Sequence, residues 1–249
     1  MEPLVEVSHL TLAAATNELV TDLSLTAASG ESIGLVGESG SGKSLTLRAI
    51  LGLLPEGIRQ TGGTVHGSER CGMVFQDPVS ALDPLYPVVK QITEVVHYRQ
   101  QLSRHQAKML ALEWIRRLRL PDDLAQKDRY PHQLSGGQRQ RIVIALALAC
   151  HPNVLLCDEP TTALDVTVQQ QIMDTIRQLQ QELHFTLIFV THNLALAATI
   201  CDRLYVMKDG QIVEQGRTED IVLHPQERYT KKLIDAVLPL PDLKRGERL

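Results

Sequence analysis

The sequence has 249 residues, of which 43% are hydrophobic and 22% are charged, and its formal net charge is −4. This length and composition are typical of a folded chain with one large or two small domains. The chain is mildly acidic and has no long basic run, which argues against nucleic-acid binding.

Targeting and membrane signals are not evident in the sequence. The first residues, Met1 to Leu4, lack the basic start and apolar core of a secretory signal peptide. The longest apolar stretch, residues 142–150, is about half as long as a bilayer-spanning helix. Four widely spaced cysteines form no CxxC pair, which argues against a zinc or redox motif. We therefore expect any action at a membrane to depend on partners.

Short strands and helices are predicted along the first 75 residues. Apolar alternation or short apolar runs predict strands in four segments: 5–10, 23–25, 32–36 and 70–75. The third of these strands leads directly into a glycine-rich loop. A helix is predicted over residues 44–54, ending before Pro55.

The middle of the chain is predicted to be helical, after which strands and helices alternate again. Helical patterns over residues 88–101 and 103–120 indicate a helical subdomain, placed at about 85–150. Beyond it we predict, in order, helix 135–149, strand 154–157, helix 167–183, strand 186–190, helix 194–199 and a hairpin around Asp209-Gly210. The tail, 217–249, is predicted to be mostly helical and then proline-rich. This order predicts an α/β fold with a largely parallel sheet covered on both faces.

The glycine-rich loop matches the pattern G-x-x-x-x-G-K-[ST] without a mismatch. Its residues are Gly37, Glu38, Ser39, Gly40, Ser41, Gly42, Lys43 and Ser44. In such a loop, backbone N–H groups turn inward to hold phosphate oxygens, the lysine reaches the β- and γ-phosphates, and the serine hydroxyl can ligate Mg²⁺. A chance turn is the alternative, but the predicted strand before the loop and the helix after it are the context that the motif requires.

An acidic pair, Asp158 and Glu159, follows the apolar strand 154–157. In this place Asp158 can hold the ligand shell of Mg²⁺, and Glu159 can polarise an attacking water molecule. The alternative is a pair of turn or capping acids, which the presence of the glycine loop makes less favoured.

A third motif opens the helix over 135–149. It comprises Leu134, Ser135, Gly136, Gly137 and Gln138. A glycine-rich helix N-terminus offers free N–H groups and a positive dipole end to an anion. A plain serine cap would explain Ser135 but not the two glycines, each of which costs about 1 kcal/mol inside a helix.

Together the three motifs resemble those of the ATP-binding cassette (ABC) ATPases. The resemblance spans nearly the whole chain and implies one domain over 1–249: a P-loop NTPase fold with a mixed sheet core, a small antiparallel β subdomain and an inserted helical subdomain. It implies ATP and Mg²⁺ as cofactors, with Mg²⁺ near Ser44, Gln76 and Asp158. It also implies that the signature segment, residues 134–138, faces ATP on a second subunit.

The same resemblance suggests roles for three further residues. Gln76, after strand 70–75, is similar to the Q-loop glutamine, which approaches Mg²⁺ and links to the transmembrane subunits. His192, after strand 186–190, is similar to the switch histidine that contacts the γ-phosphate. Asp165 lies in a segment that resembles the D-loop of the dimer interface.

Shorter stretches resemble the ATPases of oligopeptide, dipeptide and nickel importers. They are 75–78, 80–84, 130–133, 159–169, 224–225 and 229–233, and residues 51–61 are most similar to the nickel type. The resemblance implies a peripheral subunit on the cytoplasmic face of a prokaryotic membrane. Its implied partners are a second ATPase in a heterodimer, two permeases and an extracytoplasmic substrate-binding protein.

Two departures from this family pattern affect the predictions. Residues 11–19 contain no aromatic side chain to stack on adenine, and no cysteine follows Cys201, so no iron–sulfur cluster is expected. The alternatives are an exporter ATPase and an ABC ATPase that does not transport. Repair types need a long coiled-coil insertion for which residues 44–134 leave no room, and translation types carry two cassettes. The sequence leaves the substrate open among peptides, nickel and metallophores.

Overall fold

The computed structural model describes residues 3–15, 17–67, 70–125, 127–162 and 164–236, which form two compact units. The glycine-loop unit contains residues 7–25, 32–65 and 190–236. The acidic-pair unit contains residues 3–6, 26–31 and 66–189.

The strands and helices follow one another along the chain in a mixed order. The strands are β1 (Val5–Ala14), β2 (Asn17–Ala27), β3 (Ser32–Val36), β4 (Ile58–His66), β5 (Cys71–Val74), β6 (Val154–Asp158), β7 (Thr186–Thr191), β8 (Arg203–Lys208) and β9 (Gln211–Arg217). The helices are α1 (Lys43–Ile50), α2 (Val88–Gln100), α3 (Arg104–Arg117), α4 (Gly136–Ala149), α5 (Val166–Leu183), α6 (Leu194–Ile200), α7 (Thr218–Leu223) and α8 (Arg228–Asp235).

The glycine-loop unit is built on two groups of strands. In the first, β3 runs parallel to β8, with Ile33 opposite Arg203, and β8 runs antiparallel to β9. This sheet is therefore mixed, and α6 packs against β3. In the second, β1 lies between β2 and β4. All five residues of β3 are buried, so the strand that leads into the glycine loop is fixed in the core.

The acidic-pair unit combines the buried strand β6 with helices that pack together and against its sheet. β5 runs parallel to β6, with Val74 opposite Cys157, and β7 lies next to β6. Every residue of β6 is buried, which fits its unbroken apolar sequence. α4 packs against β5 and against α2, α3 and α5. No helix among the described residues combines the length and the apolar character needed to cross a membrane.

Most of the predicted elements are confirmed, including the hairpin around Asp209-Gly210 and the helices of the tail as far as residue 236. The proline-rich end, 237–249, lies outside the described residues. The predicted helix over 44–54 was too long, since α1 ends at Ile50. There the amide of Leu53 donates to the Arg48 carbonyl and that of Gly52 to the Ala49 carbonyl. These two bonds form a Schellman ending, which closes the helix before Pro55.

Candidate functional site

The glycine loop is curled around the side chain of its own lysine. Lys43 is only 4% exposed. Its ammonium donates hydrogen bonds to the carbonyl oxygens of Gly37 at 2.8 Å and Glu38 at 2.7 Å, and to Ser41 Oγ at 3.4 Å. The loop therefore holds one positive charge inside a ring of backbone, which is the arrangement a polyphosphate-binding loop needs.

The turn between β8 and β9 supports the loop from outside. A Cβ atom on Gly37 would lie 2.0 Å from the carbonyl oxygen of Met207, so only glycine allows the backbone to come this close. The amide of Gly210 donates to the Ser41 carbonyl at 3.2 Å, and the Gly210 carbonyl accepts from the amide of Thr21 at 2.9 Å. The loop is thus fixed between its parent strand and a hairpin turn.

The outer part of the loop is accessible, and its end begins a helix. Glu38, Ser39 and Gly40 are exposed, whereas Ser41 is buried and Ser44 is half-buried. Gly42 stands at the N-cap of α1 without a side-chain cap, and the first turn of α1 contains no acidic residue. The first N–H groups of a helix lack partners within the helix, so this end of α1 favours a bound anion.

His192 belongs to the same unit as the glycine loop and follows β7. It is exposed, and its neighbours on both sides are fixed. The amide of Asn193 donates to Thr191 Oγ1 at 3.0 Å, and the Asn193 side chain caps α6 by accepting from the amide of Leu196 at 3.1 Å. The backbone around His192 is therefore set by a turn and a helix cap.

The acidic pair lies at the carboxyl end of β6. Asp158 is buried, and Glu159 is half-buried with a left-handed backbone at φ 46°. Such a conformation is uncommon for a residue other than glycine and is enriched at functional sites. Thr162 Oγ1 donates to Glu159 Oε2 at 2.9 Å. Burial first, and then the nearby Asp158, raise the pKa of the Cys157 thiol, so it stays neutral beside the carboxylate.

Gln76 is exposed and follows β5. The residues after it, up to α2, are held by several hydrogen bonds. The Asp77 side chain accepts from the amide of Val79 at 2.9 Å, which forms a tight turn. Further along, the side-chain amide of Gln91 on α2 donates to the carbonyl oxygens of Asp83 at 2.9 Å and Tyr86 at 2.7 Å. The chain from Gln76 to α2 is therefore tied to the first turn of that helix.

The signature segment begins α4 with a reciprocal cap. Ser135 Oγ accepts from the amide of Gln138 at 3.3 Å, and Gln138 Oε1 accepts from the amide of Ser135 at 3.0 Å. A Cβ atom on Gly137 would lie 2.5 Å from Val168 Cγ1, so this glycine permits close packing against α5. Leu134 is buried, while Ser135 and Gly136 are exposed. The capping alternative thus accounts for the two side chains, and packing accounts for one of the glycines.

Arg141 was not identified from the sequence. Its guanidinium donates to the carbonyl oxygens of Leu118 at 3.1 Å and Arg119 at 3.2 Å, and to Gln171 Oε1 at 2.8 Å. Burial, and then the charge of Arg119, lower its pKa from the usual arginine value. Both arginines line a cavity of about 210 Å³ beside the signature segment. The position of Arg141 on α4, shortly after the signature segment, was the available signal.

The expected Mg²⁺ ligands have suitable chemistry. Ser44, Gln76 and Asp158 offer hydroxyl, amide and carboxylate oxygens, the donors that Mg²⁺ prefers together with phosphate oxygens. Within the described residues, no group of three or more His, Cys, Asp or Glu side chains could hold a metal ion alone. Asp165 has a structural contact as well, since its carboxylate caps α5 by accepting from the amide of Val168 at 2.9 Å.

The structure distributes the predicted site residues over both units. The glycine loop and His192 belong to the glycine-loop unit. The acidic pair, Gln76, the signature segment and Asp165 belong to the acidic-pair unit.

Comparisons with known proteins identify similar sequences and folds. The model of the ABC transporter family matches residues 20–162. The chain is 42% identical to the oligopeptide transport ATP-binding protein AmiE of Streptococcus pneumoniae serotype 4, over 90% of this chain and 68% of that protein.

Two solved structures share the fold. One is cbiO1 from Clostridium perfringens, described as part of the ABC transporter complex cbiONQ, with a TM-score of 0.79, 25% identity and coverage of 90% of this chain and 92% of that one. The other is the ATP-binding cassette MJ0796 in a dimeric state bound to ADP and Pi, with a TM-score of 0.74, 28% identity and coverage of 86% and 98%. The predicted fold class is confirmed by these matches.

Proposed function

The chain belongs to the ABC transporter family as an ATPase, and from this premise we propose that it powers the import of peptides into a prokaryotic cell. The observation that carries the proposal is the 42% identity with an oligopeptide transport protein over 90% of the chain. The complete glycine loop, with Lys43 enclosed by loop carbonyls, supports ATP as the fuel.

We assign the chemistry of ATP hydrolysis to four groups of residues. Residues 37–44 bind the phosphates, with Lys43 opposite the β- and γ-phosphates. Glu159 accepts a proton from water as the water oxygen attacks the γ-phosphorus, and the bond from that phosphorus to the bridging oxygen breaks, which yields ADP and phosphate. His192 contacts the γ-phosphate. By the family resemblance, Ser44, Gln76 and Asp158 would hold Mg²⁺, which would supply charge neutralisation on the phosphates.

We propose that the chain acts in a heterodimer with a second ABC ATPase. The signature segment then faces ATP held by the partner, and Asp165 lies in the loop that crosses the interface. The dimeric form of the similar cassette MJ0796 supports this arrangement. Two permeases and an extracytoplasmic substrate-binding protein complete the transporter, and the description of cbiO1 as part of a complex supports the presence of further subunits.

Within this assembly we assign residues 1–249 to one cassette on the cytoplasmic face of the membrane. Residues 85–150 form its helical subdomain, and residues 217–249 form a family-specific tail. A nucleic-acid partner and an iron–sulfur cluster are not expected.

A cavity in the helical segment suits a segment of the permease. It measures about 440 Å³ and is lined by residues of α2 and α3 together with Leu124, Lys127 and Asp128. Its lining contains four basic and two acidic side chains, together with apolar surface: Tyr86, Val89, Lys90, Thr93, Glu94, Arg104, Lys108, Leu124, Lys127 and Asp128. An excess of positive charge together with apolar surface favours an amphipathic partner that carries a carboxylate. We propose that a cytoplasmic loop of the permease docks here.

A metal ion or metal chelate is a second candidate for the transported substrate. Residues 51–61 resemble the nickel-importer type, which supports a metal or a metal chelate as the cargo. The peptide proposal is preferred because the identity with AmiE extends over far more of the chain than those eleven residues.

Reconstitution tests the function and separates the candidates. The chain is placed in proteoliposomes with candidate permeases, a second ATPase and a binding protein from the same organism. Peptides are expected to raise ATP hydrolysis and to accumulate inside, whereas Ni²⁺ alone has no effect. Stimulation of ATP hydrolysis by Ni²⁺ but not by peptides would favour nickel as the substrate. ATP-driven transport without a binding protein would favour an exporter.

A further inference from the structure

The tail helix α8 contacts the glycine loop through a hydrogen bond from Glu38 to Tyr229. The backbone N–H of Glu38 donates to the hydroxyl oxygen of Tyr229 at 3.0 Å. The two residues are 191 positions apart in the sequence. The stretch 229–233 is part of the family resemblance, yet the ATPase chemistry proposed above gives it no role.

The Tyr229 ring is fixed in place. It is half-buried, and the ammonium of Lys208 at the end of β8 lies 5.4 Å from its centroid, within the range of a cation–π contact. Burial raises the pKa of Tyr229, and the hydrogen bond from Glu38 opposes this change without reversing it. The side chain therefore stays a neutral phenol that accepts the Glu38 N–H throughout the physiological range.

The start of α8 is also anchored. The carboxylate of Glu214 on β9 accepts from the amide of Gln226 at 2.7 Å and from that of Glu227 at 3.2 Å. Burial alone would raise the pKa of Glu214, but hydrogen bonds, that from Gln226 first, and the charge of Lys231 lower it overall. Since β9 pairs with β8, and β8 packs against Gly37, the helix and the loop share one rigid support.

The bond acts on a residue that is already fixed on its other side. The Glu38 carbonyl accepts from Lys43 Nζ at 2.7 Å, while its N–H donates to Tyr229. Ser39 and Gly40 follow Glu38 in the exposed part of the loop. Because the backbone N–H and carbonyl of Glu38 are both held, the amides of Ser39 and Gly40 have fewer conformations open to them. A loop that is preorganised in this way loses less entropy when a ligand binds.

We propose that Tyr229 is a positioning residue for nucleotide binding: through the Glu38 amide, its hydroxyl holds the glycine loop in the conformation that receives phosphate. The inference rests on the proposed ATPase function, and it makes the tail helix a determinant of nucleotide affinity. Movement of α8 would then change that affinity.

The first test removes only the hydroxyl group. In the full chain, Tyr229→Phe is expected to raise the Kd for a fluorescent ATP analogue about threefold to tenfold, the range for one lost hydrogen bond. The kcat at saturating ATP should be unchanged, and the melting temperature should stay close to that of the parent. The matched control is Tyr98→Phe on α2, whose side chain is 71% exposed and should leave the Kd unchanged.

The second test perturbs the same route from the anchor. Glu214→Ala removes the acceptor for the first amides of α8 and should also raise the Kd. If both side chains act through α8 on the loop, their effects overlap. The Kd of the double variant should then not exceed the larger of the two single-variant Kd values. Fully additive effects on the Kd would overturn a shared route.

Hydrogen exchange provides a readout that needs no nucleotide. The amide of Glu38 should exchange faster in Tyr229→Phe than in the parent, and Tyr98→Phe should not change its exchange. Unchanged exchange at Glu38 would overturn the inference whatever the enzyme does. Faster exchange in a chain that binds no nucleotide would instead confirm the contact and contradict the proposed function.

Discussion

The hydroxyl of Thr162 donates a 2.9 Å hydrogen bond to Oε2 of Glu159. This bond closes the turn after β6, in which Glu159 itself has a left-handed backbone. The carboxylate proposed to accept a proton from water is therefore held by a neighbour three residues later. Both the carboxylate and its holder can be tested separately.

We expect Glu159→Gln to keep ATP binding and to reduce turnover by about a hundredfold or more, since the amide cannot accept the proton from water. Nucleotide affinity and steady-state hydrolysis are measured on the assembled ATPase. The control is Glu56→Gln at an exposed position, which should behave as the parent. Equal turnover in Glu159→Gln and the parent would rule out the proposed base.

For Thr162→Val we expect kcat to fall about threefold to tenfold with little change in KM for ATP, because one hydrogen bond to the carboxylate is lost while the phosphate loop is untouched. Thr162→Ser keeps the hydroxyl and should restore most of the turnover. Failure of serine to rescue, or a change confined to KM, would contradict a role in orienting Glu159.

Replacing Lys43 by alanine should weaken ATP binding itself. The change removes the charge that faces the phosphates, and it also removes the ammonium that holds the Gly37 and Glu38 carbonyls in the curled loop. A titration with a fluorescent ATP analogue should show an increase in Kd of about a hundredfold, which is the loss of one strong charged contact. Lys108→Ala, at an exposed position on α3, is the control. Retained affinity in Lys43→Ala would contradict the phosphate-binding role.

The signature segment can be tested in the heterodimer. Ser135→Arg should leave ATP binding to this chain intact while it blocks hydrolysis at the partner's site. The substitution also removes a helix cap, a loss of about 1 kcal/mol in stability.

Ser103→Arg is the matched control for that loss, because Ser103 and Gln106 form the same reciprocal cap at α3. Both variants should therefore unfold at similar temperatures, and only Ser135→Arg should silence the partner's site. A single subunit with full activity that does not depend on concentration would exclude the shared-site model.

The coupling surface should be detectable by cross-linking. Leu85 is 85% exposed at the start of the helical segment, so Leu85→Cys should cross-link to a cysteine in the permease loop, with a yield that changes with ATP and vanadate. Leu82 is a poor position because it is only 4% exposed. The control is Leu53→Cys, which is exposed to 64% and lies outside residues 77–90. Cross-links from residues after 216 with none from 77–90 would move the coupling surface to the tail.

Sequence analysis predicted the structural features that are determined by a short stretch of consecutive residues. Eight consecutive residues define the glycine loop, and the buried strand β6 is marked by its unbroken apolar run. β4 was not predicted, because Ile58–His66 contains two glycines and few apolar residues and most of its side chains are exposed.

Long-range contacts were also beyond prediction. The Tyr229–Glu38 bond joins residues from opposite ends of the chain, and the left-handed backbone of Glu159 depends on the turn around it rather than on its own preference. Pattern and spacing carry no information on either of them.

The polar character that hid β4 from sequence analysis has a consequence for solubility. β4 lies at the edge of its three-stranded sheet, where unpaired backbone groups can recruit a strand from another molecule. An apolar edge strand would invite such pairing, whereas exposed arginine, glutamine and threonine side chains discourage it. The polar side chains that make this strand hard to predict therefore also protect the protein against aggregation through its sheet edge.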